Sequence, residues 1–148
     1  MAAVLLVTAV GIPMLWMGEE FGQSTRQTPS QPNNLQWSLL NNQQNHDLLE
    51  YYKHLIRLWT NVPALYTQNI EFIHQNTEAK VLAYYRWSDE GSRIVVVTNF
   101  SDTYLSTYCI PNFPDTGTWH EWMYNKIVEV GEEDFKFDFP EWSAHVFL

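Results

Sequence analysis

The spacing of hydrophobic and polar positions changes near the middle of the chain. Before Pro63, apolar residues form short continuous runs or recur at helical spacing, whereas after Asn69 they mostly alternate with polar residues. Spacing of three to four residues is typical of amphipathic helices, and a period of two is typical of strands. The pattern predicts a partly helical first half followed by an all-β second half.

The first 34 residues contain two apolar runs. Ala2–Val10 is predicted to be the end of a helix, because a glycine and a proline follow it and prevent its continuation. Ile12–Met17 is predicted to be a strand buried on both faces, as in a parallel sheet. A helix, a tight turn and such a strand indicate an α/β unit. Gln23–Asn34 is rich in Gln, Ser, Thr, Pro and Asn and is predicted to be a loop.

A second helix is predicted to begin at Asn45 or His46, with Asp47 in its first turn, and to end before Pro63. Asn45-His46-Asp47 is therefore interpreted as a capping sequence. Four apolar side chains of this helix recur at helical spacing and are expected to be buried against the β half or the N-terminal segment: Leu48, Tyr52, Leu55 and Trp59.

The second half of the chain predicts about eight short strands, a number typical of an antiparallel sandwich or barrel. Lys80–Trp87 and Ser92–Asn99 are expected to pair across a short turn that contains Gly91. The expected fold class is mainly β.

Charge and composition exclude several kinds of function. The chain carries 17 acidic and 8 basic residues, a net charge of −9 without a cluster of Lys or Arg, which excludes a nucleic-acid partner. Its apolar N-terminal run has no preceding basic residue and is interrupted by Gly11 and Pro13, unlike a signal or membrane segment. The single cysteine, Cys109, excludes an intrachain disulfide and fits a reducing compartment. A cytoplasmic protein without a membrane partner is expected.

No set of residues predicts catalysis by this chain alone. Glu19 and Glu20 are adjacent, so in a strand they would point to opposite faces and could not flank a glycosidic bond. The five histidines show no metal-ligand spacing, and there is no glycine-rich phosphate loop. We predict no catalytic residue, no metal and no cofactor.

Seven tryptophans are an unusual feature, because indole rings stack on sugars but also fill cores. The candidates for glucan contact are Trp87, Trp119, Trp122 and Trp142. Trp119 and Trp122 would lie on opposite faces of a regular strand and could not form one platform. We expect glucan binding to be weak, with a dissociation constant no better than about 1 mM.

The segment Gly11–Gln23, GIPMLWMGEEFGQ, resembles the region of the eighth barrel strand in the α-amylase superfamily, glycoside hydrolase family 13. The family pattern, Gly-x-Pro, four residues, then Gly-x-Glu, matches at Gly11, Pro13, Gly18 and Glu20. Arg93–Ser101, RIVVVTNFS, resembles the central strand of the C-terminal β-domain of that family.

The resemblance implies two parts. Residues 1–65 would be a remnant of a (β/α)8 barrel, comprising the end of helix 7, strand 8 and helix 8, and residues 66–148 a C-terminal antiparallel β-sandwich. The catalytic Asp, Glu and Asp of the family would lie upstream. Gly18, Glu19 and Glu20 would lie near the substrate in the parent barrel, at the rim where such barrels form active sites.

The implied enzyme acts on α-glucans. The phrase MGEEFGQ and Leu35-Gln36-Trp37 favour a branching enzyme over an α-amylase family hydrolase or a trehalose-releasing relative. The implied partners are α-glucan and an upstream barrel of the same protein. A second copy of the chain is a further candidate partner, since a lone barrel strand has unpaired edges. The alternatives are a starch- or glycogen-binding β-sandwich and a purely structural domain, which the exposure of the aromatic rings would distinguish.

Overall fold

The computed structural model describes residues 1–24 and 34–148, so residues 25–33, most of the predicted loop Gln23–Asn34, lie outside the described residues. Two α-helices are described, α1 (Ala2–Thr8) and α2 (Gln43–Asn61), with 3-10 turns at Glu19–Phe21, Trp37–Asn41 and Pro63–Tyr66. The strands that follow are β1 (Ile70–Asn76), β2 (Val81–Trp87), β3 (Arg93–Asn99), β4 (Leu105–Ile110), β5 (Gly117–Glu121), β6 (Lys126–Val130), β7 (Phe135–Phe139) and β8 (Ser143–Phe147).

The strands form two antiparallel sheets. The larger sheet has the order β1-β2-β3-β8-β5-β6, and the smaller one pairs β4 with β7. The predicted hairpin is present, with Tyr84 opposite Val96 in the ladder between β2 and β3. The smaller sheet covers one face of the larger sheet and the helices cover the other. The prediction of a mainly β fold with an antiparallel sandwich is confirmed.

The central strand β3 shows why the larger sheet has two covered faces. Ile94 and Val96 belong to the core shared with α1 and α2, whereas Val95 and Val97 belong to the core beneath β4 and β7. All four are fully buried. Successive side chains of a strand point to opposite faces, so a run of β-branched residues without polar interruption indicates a strand covered on both sides.

Helix α2 begins earlier than the sequence predicts. Its cap is Asn42, whose side chain accepts a hydrogen bond of 2.9 Å from the Gln44 N–H. The predicted start at Asn45 or His46 is therefore wrong, because Asn42 offers the same capping chemistry one turn earlier.

The apolar stripe of α2 is buried as predicted at Tyr52 and Leu55, and Leu58 joins them. Leu48 and Trp59 lie at the two ends of the stripe and are only half-buried. The Trp59 ring packs edge-on against Tyr66 with ring centroids 5.1 Å apart. The stripe packs on α1, the 3-10 turn Pro63–Tyr66 and the larger sheet, so both of the predicted packing partners are used.

Arg86, on β2, joins the N-terminal segment to the sheet. Its fully buried guanidinium donates to the carbonyls of Thr8 and Ala9 at 2.9 and 2.8 Å, and to those of Leu65 and Thr67 at 3.2 and 2.6 Å. These carbonyls end α1 and the 3-10 turn Pro63–Tyr66, where backbone oxygens have no intrahelical partner. Burial lowers the pKa of Arg86. One side chain thus fixes two chain ends to β2.

The strand predicted over Ile12–Met17 is wrong for this chain, since none of these residues belongs to a strand. A strand needs hydrogen-bond partners along its edges, and none of the described strands pairs with this segment. It runs as irregular backbone between α1 and the 3-10 turn Glu19–Phe21.

The division into residues 1–65 and 66–148 stays a prediction. One apolar core includes Val4 and Val7 from α1, Leu55 from α2, and Ile94 and Val146 from the larger sheet. The helices and the sheet therefore share buried surface across the predicted boundary.

We expect Arg86→Met to lower the free energy of unfolding by about 3 kcal/mol, because it leaves buried carbonyls without a donor and each such group costs about 1–3 kcal/mol. Urea denaturation measures the change. The control is Arg93→Met, which removes an exposed ion pair with Asp115 and should cost much less, because exposed ion pairs contribute little to stability. Equal losses in the two variants would contradict the role given to Arg86.

Candidate functional site

The centre of the Gly11–Gln23 segment is a tight turn that favours glycine at two positions. Gly18 and Gly22 have φ angles of 87° and 72°, in the left-handed region. A Cβ atom on Gly18 would lie 2.8 Å from the Gln23 side chain. The Gln23 N–H donates to the Gly18 carbonyl at 2.9 Å and closes the turn. The two glycines thus place Glu19 and Glu20 on a compact loop.

Glu19 connects this turn to helix α2. Its carboxylate accepts hydrogen bonds from the Tyr52 hydroxyl at 3.0 Å and from the Trp16 N–H at 3.2 Å. Burial and the hydrogen bond to Glu19 raise the pKa of Tyr52 to about 12. Glu19 is therefore a carboxylate with two protein donors, an arrangement that holds structure together.

Glu20 is placed differently from its neighbour. It is half-exposed, and among the described residues it has no hydrogen-bond partner. Both glutamates lie in a 3-10 turn that follows the predicted strand segment, and they remain neighbours on one short loop. The residues described contain no group of three or more His, Cys, Asp or Glu side chains that could hold a metal ion.

Helix α2 also fixes the end of the turn. The Asn45 side chain donates to the Phe21 carbonyl at 2.7 Å, and Phe21 is fully buried with its ring 5.6 Å from that of Trp37. The capping role predicted for Asn45-His46-Asp47 is thus replaced by a tertiary contact of Asn45. Sequence reasoning missed the roles of Tyr52 and Asn45, because helical spacing identifies a face of α2 but not the loop that packs on it.

The segment before the turn exposes apolar side chains. We call it the apolar ledge; it comprises Val10, Ile12, Met14, Trp16 and Met17. Ile12 and Met14 are 88% and 69% exposed. A cleft of about 390 Å3 between Ile12, Trp59 and Tyr66 continues the ledge towards α2. A concentration of exposed apolar side chains along one segment is typical of an interaction surface.

The three tryptophans predicted as the main glucan contacts lie apart. Trp87 stacks on Tyr85 with centroids 5.1 Å apart, and Trp122 stacks on His54 at 4.9 Å. Trp119 is only 5% exposed and donates from its indole to the Asp115 carbonyl at 3.2 Å. Their rings do not share one exposed face, and glucan contact by any of them stays a prediction.

The structure changes one detail of the tryptophan prediction. Strand β5 ends at Glu121, so Trp122 follows the strand rather than lying within it. Trp119 nevertheless packs in the core beneath the smaller sheet and Trp122 against the helix side, so they do lie on opposite faces. Trp142, the fourth candidate, is 58% exposed in the turn between β7 and β8.

The order of strands and the two covered faces define a two-sheet antiparallel β-domain with helices on one side, and comparison with known proteins identifies its family. Residues 72–147 match the family described as alpha amylase, C-terminal all-beta domain. The match covers half of the chain, and the chain belongs to this family.

Similarity extends upstream of the family match. The chain is 35% identical over 121 residues to the 1,4-alpha-glucan branching enzyme GlgB of Dechloromonas aromatica, which covers 78% of this chain and 19% of that enzyme. It is 30% identical over 99 residues to the maltogenic alpha-amylase of Bacillus acidopullulyticus. That match covers 66% of this chain and 17% of that enzyme. The chain thus spans about a fifth of the length of the curated relatives it matches.

Solved structures share the fold. A cyclomaltodextrinase superposes with a TM-score of 0.81 at 22% identity, covering 99% of this chain and 24% of that protein. An AmyP variant in complex with maltotriose superposes with a TM-score of 0.80 at 15% identity. The superposition covers 99% of this chain and 33% of that protein. At these identities the likeness shows the fold alone.

One further property of the described residues is that none of their helices has the length and apolar character needed to cross a membrane.

We expect the Tyr52–Glu19 contact to be visible in the pH dependence of stability. The pKa of Tyr52 is raised from 10.0 to about 12 in the folded chain, so its contribution is fully present below pH 10 and is lost as the pH rises towards 12. In urea denaturation across this window, Tyr52→Phe should lose less stability than the wild type.

The matched pair of variants for this contact is Glu19→Gln and Glu20→Gln. Glu19→Gln should lower the pKa of Tyr52, because it removes the charged acceptor, while Glu20→Gln should change it less. Absorbance titration of the phenols, read as a difference from Tyr52→Phe, measures this. Equal effects of the two glutamate variants would contradict the assigned contact.

Proposed function

We propose that this chain is the C-terminal part of a larger α-glucan-active enzyme, a 1,4-α-glucan branching enzyme before an α-amylase family hydrolase, and that it stabilises a catalytic barrel. The apolar ledge carries the proposal. It lies on the segment whose Gly-x-Pro and Gly-x-Glu motif resembles the last barrel strand, and the curated relatives are about five times longer than the matched region.

The ledge has the properties of a surface that another part of a protein buries. Its backbone has no ladder partner among the described strands, and its side chains include an isoleucine that is 88% exposed. Burying one large apolar side chain contributes about 1.5–3 kcal/mol. Neighbouring strands of a barrel would supply backbone partners and apolar contact together, which supports a barrel as the occupant.

In the larger enzyme, Gly18, Glu19 and Glu20 would form one wall of the substrate cleft. Glu19 would hold the wall in place, since its two oxygens already accept from Tyr52 and Trp16. Glu20 is the group free to accept a hydrogen bond from a sugar hydroxyl. Gly18 and Gly22, which lie on either side of the glutamates, keep the loop short.

The chemistry itself would come from upstream. A retaining double displacement needs a nucleophile and an acid about 5 Å apart across the glycosidic bond. Glu19 and Glu20 are neighbours in one turn, and Glu19 is committed to Tyr52, so this chain supplies no such pair. We place the enzyme in the cytoplasm, because a single cysteine fits a reducing compartment.

We expect no hydrolase or transferase activity from this chain alone with amylose or maltoheptaose, because the acid and nucleophile pair is missing. Reducing-end and iodine-staining assays against a buffer blank measure this. Turnover that either Glu19→Gln or Glu20→Gln abolishes would contradict the proposal.

A second expectation is that the uncovered ledge makes the chain self-associate, since a symmetric partner covers edge and apolar surface together. Light scattering should give a dimer that Ile12→Asp converts to a monomer. The matched control is Ile127→Asp on β6, where the isoleucine is 67% exposed but lies outside the ledge. A wild-type monomer at all concentrations, or an Ile12→Asp variant that stays dimeric, would contradict a role for the ledge in association.

A further inference from the structure

A second cleft lies on the opposite side of the larger sheet from the helices, where the β5–β6 hairpin faces the free edge of β7. Its volume is about 400 Å3, within the range of small-ligand sites. The polar and aromatic side chains that line it are Tyr104, Tyr124, Lys126, Lys136, Asp138 and His145. None of them belongs to the turn or the apolar ledge.

His145 forms the buried floor of this cleft. It is 2% exposed, and its Nδ1 lies 3.3 Å from a carboxylate oxygen of the buried Glu121. Both ring nitrogens are covered by protein, so the imidazole shapes the cleft and does not itself meet a ligand.

Asp138 is held in place on the other side. It accepts a hydrogen bond of 2.6 Å from the Thr107 N–H, and that bond, with a further one from the Tyr104 hydroxyl, lowers the pKa of the carboxyl group. Thr107 has a φ of 51° at an irregularity in the β4–β7 ladder, which turns its N–H towards Asp138. Lys126 lines the same cleft, and its charge also lowers the pKa of Asp138.

Two tyrosines supply flat apolar surface. Tyr104 and Tyr124 are 52% and 55% exposed, and the Tyr124 ring lies over His145 with centroids 5.2 Å apart and planes inclined by 33°. Exposed rings beside fixed polar groups suit a ligand with apolar faces and a polar rim.

We propose that this cleft binds a neutral oligosaccharide of two or three sugar units, with a ring stacked on Tyr124 and hydroxyls bonded to Asp138, Lys126 and Lys136. Hydroxyls both donate and accept, so they satisfy a carboxylate and ammonium groups at once. A strongly anionic ligand would meet the ionised Asp138 in a chain of net charge −9. The choice of a maltooligosaccharide as probe rests on the proposed function, whereas the cleft itself does not.

The test is a titration of the full chain followed by backbone amide NMR, with maltotriose, cellotriose and inorganic phosphate in separate arms. Maltotriose should shift the amides of Tyr104, Tyr124 and Asp138 with a dissociation constant in the millimolar range. Tyr124→Ala should weaken binding about tenfold through lost stacking, and Asp138→Asn should weaken it without removing a ring. The matched control is Tyr66→Ala, since Tyr66 is 54% exposed and lies outside the cleft.

Each outcome of the titration either supports or overturns the proposed oligosaccharide site. Shifts with maltotriose, alone or together with cellotriose, support the cleft. An equal response to both sugars would support an oligosaccharide site while removing its link to α-glucans, which separates this inference from the proposed function. Shifts with phosphate only, no shifts at all, or binding that Tyr124→Ala and Asp138→Asn leave unchanged would overturn it.

Discussion

The structure depends on Arg86, a buried guanidinium without a carboxylate partner among the described residues. It bonds four backbone carbonyls from two chain segments that lie about 57 residues apart in the sequence, at the end of α1 and at the 3-10 turn after α2. Such a charge is costly to bury unless its donors are directed at acceptors, and here the two terminal nitrogens donate to four carbonyls while the buried Nε–H has no partner among the described residues. The requirement therefore works in both directions: Arg86 needs these carbonyls, and the two segments need Arg86 to reach the sheet.

This constraint places the rest of the N-terminal segment. Once α1 is fixed on β2, the chain must pass along the surface before the glycine turn meets α2 through Glu19 and Phe21. The apolar ledge is the part of that path which no described element covers. The segment is held by hydrogen bonds at both of its ends and is exposed between them. This arrangement fits a segment that another domain covers.

The two faces of the larger sheet thus serve different roles. The helix side holds the turn and the ledge, and with them the proposed contact with a barrel. The other side holds the smaller sheet and the cleft around His145, where the sandwich opens between β6 and β7. The aromatic residues of the cleft are exposed tyrosines, Tyr104 and Tyr124, whereas most of the tryptophans are at least partly packed.

The sequence by itself determined the strands and the hairpin turn at Gly91, because side-chain alternation and the tolerance of glycine for positive φ angles are local properties. Its motif also determined the family. Only the tertiary structure decided that Asn45 bonds Phe21 rather than capping α2, that Ile12–Met17 forms no strand, and that Tyr124, Asp138 and His145 meet in one cleft. Those outcomes depend on which distant backbone groups and side chains are within reach, and residue spacing carries no record of that.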